Sequence, residues 1–498
     1  MPHLRLRRVR LTGSLLLAIV LAAGACADVS PVAERDPFAW RAAPTGPLAE
    51  RVIGFPVPPN PLELGLAGYA KVICSAVFVS GRDPYEAAKN SAFIWLPEQE
   101  RKQISSLVVD RERREVRATW ASSLTRAARL VGDQGCVVLP RGTDRVSFTP
   151  VSVTSSLPPA DRESWPMGDR APQGPLPEDV DAALLDAAAD AAFAEEALTA
   201  AFLAVHRGRI VAERYAPGIT RDTQLESWSM GKSVTATLVG VLVQQGALDV
   251  DAPAPVPAWQ DEDDPRSAIR VVDLLRMSSG LEFISPQDPD YEPGLGYPEH
   301  MYVYTGAIDV FELAISRPLQ FTPDTEGRYR NSDPLVLGYL IRESVRERGE
   351  EYLTFPQRAL FDRIGIRRQV LETDPFGNFE MTGYDYGTAR NWARLGLLYL
   401  NDGVFDGERV LPEGWSELVS TPAPAWDEPV YGGLFWLNRT SRFPLPADAY
   451  FMAGAGGQYT IVVPSLDLVV VRMGHLRGGP HAGRALDEAL RLVVKSLR

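Results

Sequence analysis

Two pairs of β-branched runs, far apart in the chain, constrain its architecture more than any other feature. AAFLAVH and RIVAERY flank a short turn containing Gly208, and QYTIVVP and LDLVVVRM follow one another near the C-terminus. Each pair reads as an antiparallel hairpin, because short apolar, β-branched runs bounded by turn residues favour pleated pairing. The region between the pairs carries helical periodicity instead. Strands at both ends of a helical middle bury their apolar faces by meeting in one sheet, which gathers the two ends together. The expectation is an α+β chain with an antiparallel sheet flanked by helices and an all-helical subdomain. DVDAALLDAAADAAFAEEAL predicts a helix opened near Pro177 with acids in its first turn, and GRALDEALRLVVKSL predicts a closing amphipathic helix. The sequence contains no internal repeat.

Composition shifts divide the rest. Residues 26–61 are rich in Pro, Ala and Arg with little periodicity and read as a tether. Residues 62–150 read as an accessory segment containing β-structure: KVICSAVFV suggests a strand, and KQISSLVV and VRATWAS suggest a hairpin across DRERRE. A second Pro-rich stretch, 151–176, reads as a linker into residues 177–498.

Arg5, Arg7, Arg8 and Arg10 precede an apolar run from Leu15 to Ala23 and the small residues Gly24 and Ala25. Residues 1–25 therefore read as a secretory signal, too short to span a bilayer as a helix. LAAGAC resembles a bacterial lipobox, which makes Cys26 the candidate lipid-modified first residue; Ala23 stands where Leu is usual, and ordinary cleavage after Ala25 or Ala27 is the alternative. The expected location is the bacterial cell envelope or periplasm, with membrane contact only through such an anchor. Without the leader's four arginines, 47 of the 51 basic residues remain against 64 acidic ones, a net charge of −17. That balance argues against nucleic acid and anionic headgroups as partners. In an oxidising compartment Cys74 and Cys136 are candidates for a disulfide, which would contribute roughly 4 kcal/mol by loop closure; two buried free thiols are the alternative.

LESWSMGKSVTATLVGVLVQQG holds Ser229 and Lys232 three apart where a helix begins, with Gly246 as its natural C-cap. That spacing puts hydroxyl and amine on one helix face, where the amine can take the hydroxyl proton. Only five lysines occur, and chance would put a Ser three residues before one of them in roughly one such chain out of three. The setting gives the pair its weight. A partly buried helix N-terminus disfavours an ammonium, so a neutral Lys232 is expected, with Glu226 the nearby carboxylate opposing it. Downstream, Tyr329 and Asn331 sit two apart in GRYRNSDPLVLGYLI, and MAGAGGQYTIVVP places Ala455, Gly456, Gly457 and Gln458 just before a strand. Glycines there let a backbone come close to a ligand, or simply make a tight turn.

Together and in this order, the three motifs resemble the serine β-lactamase and penicillin-binding superfamily, whose first motif is Ser-x-x-Lys. The likeness is greatest to its class C-like branch, which includes β-lactamases, esterases and 6-aminohexanoate-dimer hydrolases, and it extends over roughly Asp179 to Arg498. LLRMSSGL, GTARNWARLGLLYLNDG and VVPSLDLVVV add to it. The resemblance implies a β-lactamase/transpeptidase-like fold in which Ser229 is acylated and Lys232 is its base or proton relay. It also implies that Tyr329 passes a proton to the leaving group, that Asn331 positions the substrate amide or Lys232, and that the backbone N–H groups of Ser229 and Gln458 form an oxyanion hole. Such a donor is worth about 3 kcal/mol. No cofactor is implied and no metal, in keeping with five histidines and no Cys/His ligand cluster.

The third motif often opens with Lys or His, which can hold a β-lactam carboxylate, and this chain has Ala455 there. Losing such a contact costs roughly 1.5 to 3 kcal/mol, about 10- to 150-fold in affinity. The expected substrate is therefore a small linear amide or ester. Three other readings are a β-lactamase or penicillin-binding peptidase, an α/β-hydrolase built on SWSMG with His300, His475 or His481, and a non-catalytic lipid-tethered sensor. Trp228 reads as packing, Tyr384 and Tyr386 as pocket or packed turn, and His206 as a surface or edge-strand residue.

Overall fold

The computed structural model describes residues 60–170, 174–261, 263–292 and 297–497. The signal, Cys26 and nearly all of the tether lie outside the described residues.

The first described element is α1, Pro61–Phe78. Asn60 caps it by accepting from Leu62 N, and Pro61 sits at the first position, where its missing N–H costs nothing. KVICSAVFV is thus helical, not a strand. Its β-branched residues are overridden by burial on every side, and the helix is 83% buried although long and apolar enough to cross a membrane. It packs on a four-stranded antiparallel sheet of β1 (Ile104–Asp110), β2 (Glu115–Trp120), β3 (Leu124–Leu130) and β4 (Cys136–Val138), which includes the expected hairpin. A disulfide joins Cys74 of α1 to Cys136 of β4.

Residues 151–170 run along the body. Ser155 and Ser156 bind the Asp362 carboxylate, and Arg394 stacks on Trp165 at 4.7 Å and donates to Pro166 O at 2.7 Å. Next comes α2, Ala182–Ala192. It begins five residues later than Pro177 suggests, because Asp181 supplies the N-cap, and its first turn holds no acid.

Both expected hairpins are present. β5 (Thr199–His206) turns through Arg207 and Gly208, both at positive φ, into β6 (Arg209–Tyr215). β12 (Gln458–Val463) and β13 (Leu468–Gly474) form the second, and the closing helix α7 is Gly479–Ser496. With β10 (Trp436–Leu437) and β11 (Tyr450–Gly454) they make one six-stranded antiparallel sheet, β10-β11-β12-β13-β5-β6. The two ends of the region meet where β13 pairs with β5, from Leu468 opposite His206 to Gly474 opposite Thr199. His206 is therefore on an inner strand and buried, not at an edge or surface. On one face, Ala482 of α7 lies over Gly457 at the entry to β12; on the other, Gly396 of α6 (Ala389–Leu400) admits Val469 against its backbone. The helical middle supplies α3 (Gly231–Gln244), α4 (Glu299–Thr305) and α5 (Ser332–Glu347). A three-stranded antiparallel sheet links it to the body through β7 (Leu225–Glu226), β8 (Val370–Leu371) and β9 (Asp385–Gly387), in the order β7-β9-β8. An antiparallel main sheet rules out the α/β-hydrolase reading, which requires a parallel one.

Candidate active site

Ser229 stands in a 3-10 turn, Trp228–Met230, that runs directly into α3. Trp228, just before it, takes a left-handed φ of 48°, a conformation that costs a bulky residue energy and is held by its surroundings. Ser227 N donates to Asp385 O at 2.9 Å, and its carbonyl meets Gly454 at the end of β11 so closely that a Cβ there would lie 2.0 Å away. The Ser229 turn is thus clamped between β9 and the edge region of the large sheet. At the far end of α3, Gly246 adopts φ 70° and Ala247 N returns to Leu242 O, the expected C-cap.

One turn into α3, Lys232 Nζ lies 3.2 Å from Ser229 Oγ and donates to Thr382 O at 2.9 Å. Lys232 is buried while Ser229 is partly open. Burial pulls the amine down from 10.5 to about 7, and Asp385 opposes that shift. The opposing carboxylate is therefore Asp385 and not Glu226. Glu226 points away, accepting from Ser91 Oγ at 2.7 Å with Arg82 3.8 Å off. Nothing local in the sequence marks Asp385; β9 delivers it to the start of α3, where its Oδ2 would lie 1.8 Å from any Cβ at Gly231.

Tyr329 joins this pair. Its ring centroid is 4.8 Å from Lys232 Nζ, and burial pushes its phenol up, partly offset by the Ser229 hydroxyl, so it keeps its proton at neutral pH. Trp436 and Tyr431, at 5.3 and 5.9 Å between centroids, hold the ring, an aromatic wall that short motifs do not reveal. Asn331 is buried at the start of α5 and donates to His300 O at 2.8 Å, so it braces α4. His300 itself packs against Tyr329 at 6.2 Å, and burial, then Lys232 and Arg330, hold its imidazole well below its ordinary value and neutral.

The Gly-rich entry to β12 resolves into two roles. Gly456 and Gly457 take φ of 81° and 76° in the turn from β11, and a Cβ on either would meet Leu476 or Ala482 at 2.7 and 2.6 Å. Turn geometry and packing fix these two. Ala455, in contrast, lines a cavity of about 530 Å³, counted with the space open to solvent, together with Ser229 and His300. Gln458 is turned inward, its amide bridging Gly474 N and O at 2.8 Å each. Tyr384 and Tyr386 are both buried, and Tyr384 packs 5.5 Å from Trp228 rather than lining the cavity. Trp228 packs as expected and also borders the cavity. Among the described residues no group of three His, Cys, Asp or Glu side chains is arranged to hold a metal ion.

A buried amine pulled down to about 7, against a hydroxyl that opens to a cavity and with a protonated phenol beside both, is an arrangement suited to acyl transfer to serine. Comparison with known proteins agrees in fold and chemistry. The sequence model of the Beta-lactamase family matches residues 185–495. A 6-aminohexanoate-dimer hydrolase from Paenarthrobacter ureafaciens is 25% identical over 310 residues, 56% of this chain and 73% of that protein. The crystal structure of a presumed beta-lactamase from Bacteroides dorei superposes with a TM-score of 0.50 at 18% identity, covering 64% of this chain and 99% of the other, which shows a shared fold. A family match over more than half of the sequence, on this sheet order, settles the assignment: the chain belongs to the beta-lactamase family and is a serine hydrolase.

Proposed function

We propose that the protein is an exported acylhydrolase that cleaves linear amides or esters through an acyl-enzyme on Ser229. The observation that carries this is the 3.2 Å approach of a buried Lys232 amine, pulled down to about 7, to a partly open Ser229 hydroxyl. Lys232 accepts the Ser229 proton as Oγ attacks the acyl carbon. The tetrahedral oxyanion is then held by backbone N–H groups, one from Ser229 at the helix start and the other from Gln458 at the entry to β12. Collapse expels the amine or alcohol, which takes a proton relayed from Lys232 through Tyr329. Water, deprotonated along the same path, attacks the acyl-enzyme and returns the proton to Ser229.

Ala455 supports the linear substrate over a β-lactam, since neither it nor any other described residue lining the cavity is Lys or Arg. The similarity to a protein named as a 6-aminohexanoate-dimer hydrolase points the same way. Export through residues 1–25 and lipid attachment at Cys26 complete the reading. Intact-protein mass spectrometry after exposure to short esters, penicillin and a fluorophosphonate tests it. Wild type is expected to turn over esters, to take one fluorophosphonate on Ser229 and to form no lasting penicillin adduct, and Ser229→Ala to be silent. Labelling that survives the substitution would remove Ser229 as nucleophile. Palmitate incorporation lost in Cys26→Ala tests the anchor.

A further inference from the structure

The family match begins at residue 185, yet the cavity at Ser229 is not built from that region alone. Ile94 and Trp95, from a 3-10 turn at Ala92–Trp95 in the N-terminal segment, line it together with Trp228, Ser229, Met301 and Tyr304. We propose that the N-terminal segment is a specificity element of the active site, in which Ile94 and Trp95 form the wall that seats the uncharged, apolar part of the acyl substrate beside Ser229. The inference rests on the acylhydrolase reading above and extends it to the class of substrate.

Three sets of contacts hold this wall in register with the nucleophile. Below it, α1 presents Gly65 and Gly68, one turn apart. A Cβ on Gly65 would meet Trp95 O at 2.3 Å, and one on Gly68 would meet the indole at 2.4 Å, so the tryptophan lies directly on the helix backbone. Behind it, Ser91, at the start of the turn, donates to Glu226 at 2.7 Å, three residues before Ser229, and receives from Arg82 at 3.1 Å. Beside it, the Trp95 ring meets Tyr304 of α4 edge-on at 6.3 Å. Ile94 and Trp95 are each 1% exposed, and Trp95 Nε1 has no hydrogen-bond partner among the described residues. A rigid wall without charge penalises a substrate that brings a charge to it, because the charge loses water and gains no partner. Apolar substrate surface gains from the same wall, as in most small-molecule sites.

Two measurements test this. In the first, kcat/KM is determined for p-nitrophenyl acetate, butyrate, hexanoate and octanoate with wild type, Ile94→Ala and Trp95→Phe. Ile94→Ala, which removes apolar contact, is expected to lower the octanoate-to-acetate ratio at least fivefold, with the change carried by a higher KM for the longer ester, and a raised ratio would overturn the proposal. A ratio within twofold of wild type in folded variants would overturn the proposal. The second measurement needs no variant: inhibition of wild type by butylboronic acid and by a boronic acid of equal chain length ending in a carboxylate. At least tenfold tighter binding of the neutral compound is expected, and equal affinities would overturn it. Fluorophosphonate labelling of Ser229 in the same preparation reports on the acylhydrolase reading separately, so its failure is distinguishable from an unmoved selectivity.

Discussion

Substituting Lys71 by Met should be among the most damaging single changes outside the candidate active site. The Lys71 and Glu372 side chains are both fully buried and bonded to one another, and Lys71 also donates to Cys136 O and lies 3.8 Å from Glu380. Met fills the volume of the lysine stem but leaves Glu372, among the described residues, with Ser75 Oγ at 2.9 Å and Cys136 N at 2.7 Å as its hydrogen-bond donors. Removing one member of a buried pair costs about 3–5 kcal/mol, and two carboxylates losing one cation put the expectation near the upper end. At about 2.1 cal/mol/K per residue, the roughly 440 residues from Asn60 onward unfold with an entropy of about 0.9 kcal/mol/K, so Tm should fall by about 5 °C if unfolding is cooperative. Burial already pushes the Glu372 carboxyl up, with Lys71 opposing. Without Lys71 its folded value rises further above the unfolded one, so the carboxyl favours folding while protonated and opposes it once ionised. The loss should accordingly be smaller at pH 5 than at pH 8. Urea melts of wild type, Lys71→Met, Glu372→Gln and the double variant at both values check this. The double variant should recover at least about 2 kcal/mol relative to additivity. A loss under about 1 kcal/mol, or no coupling, would refute the view that this pair locks the N-terminal segment behind the active site.

Three further outcomes follow from the site. Because Lys232 must be neutral to accept a proton, kcat/KM for a neutral ester should rise with pH through about 7; a flat profile from pH 5.5 to 8.5 would exclude Lys232 as base. Gly231→Ala places a Cβ 1.8 Å from Asp385 Oδ2, so the carboxylate must move, with about 1–3 kcal/mol lost in melts and a lower kcat. Cys136→Ser opens a loop with a sequence separation of 62, worth about 4 kcal/mol by chain entropy, and should lower the urea midpoint by a corresponding amount.

Patterns confined to neighbouring residues were readable in the chain itself. The hairpins at β5–β6 and β12–β13, the closing helix, the Ser229 turn entering α3 and the Gly246 cap all follow from periodicity, turn residues and capping over a few positions. Local signals misled where burial decided the outcome. KVICSAVFV has strand-like composition, but a segment buried on all sides accepts helix or strand, and Asn60 with Pro61 tipped it to helix. His206 looked peripheral because strand order within a sheet is not written in any one strand.

By itself, then, the sequence determined the element types of the catalytic region, the order of its three motifs and, through their resemblance to a known family, Ser229, Lys232 and Tyr329 as the candidate reacting set. Only the tertiary structure decided which groups surround that set. Asp385, His300, Trp436 and the Ile94–Trp95 wall come from segments far apart in the chain and meet through sheet pairing and burial. The physical reason is range: capping, turns and periodicity act over a few residues, whereas desolvation of a lysine and the lining of a cavity depend on every segment that packs there.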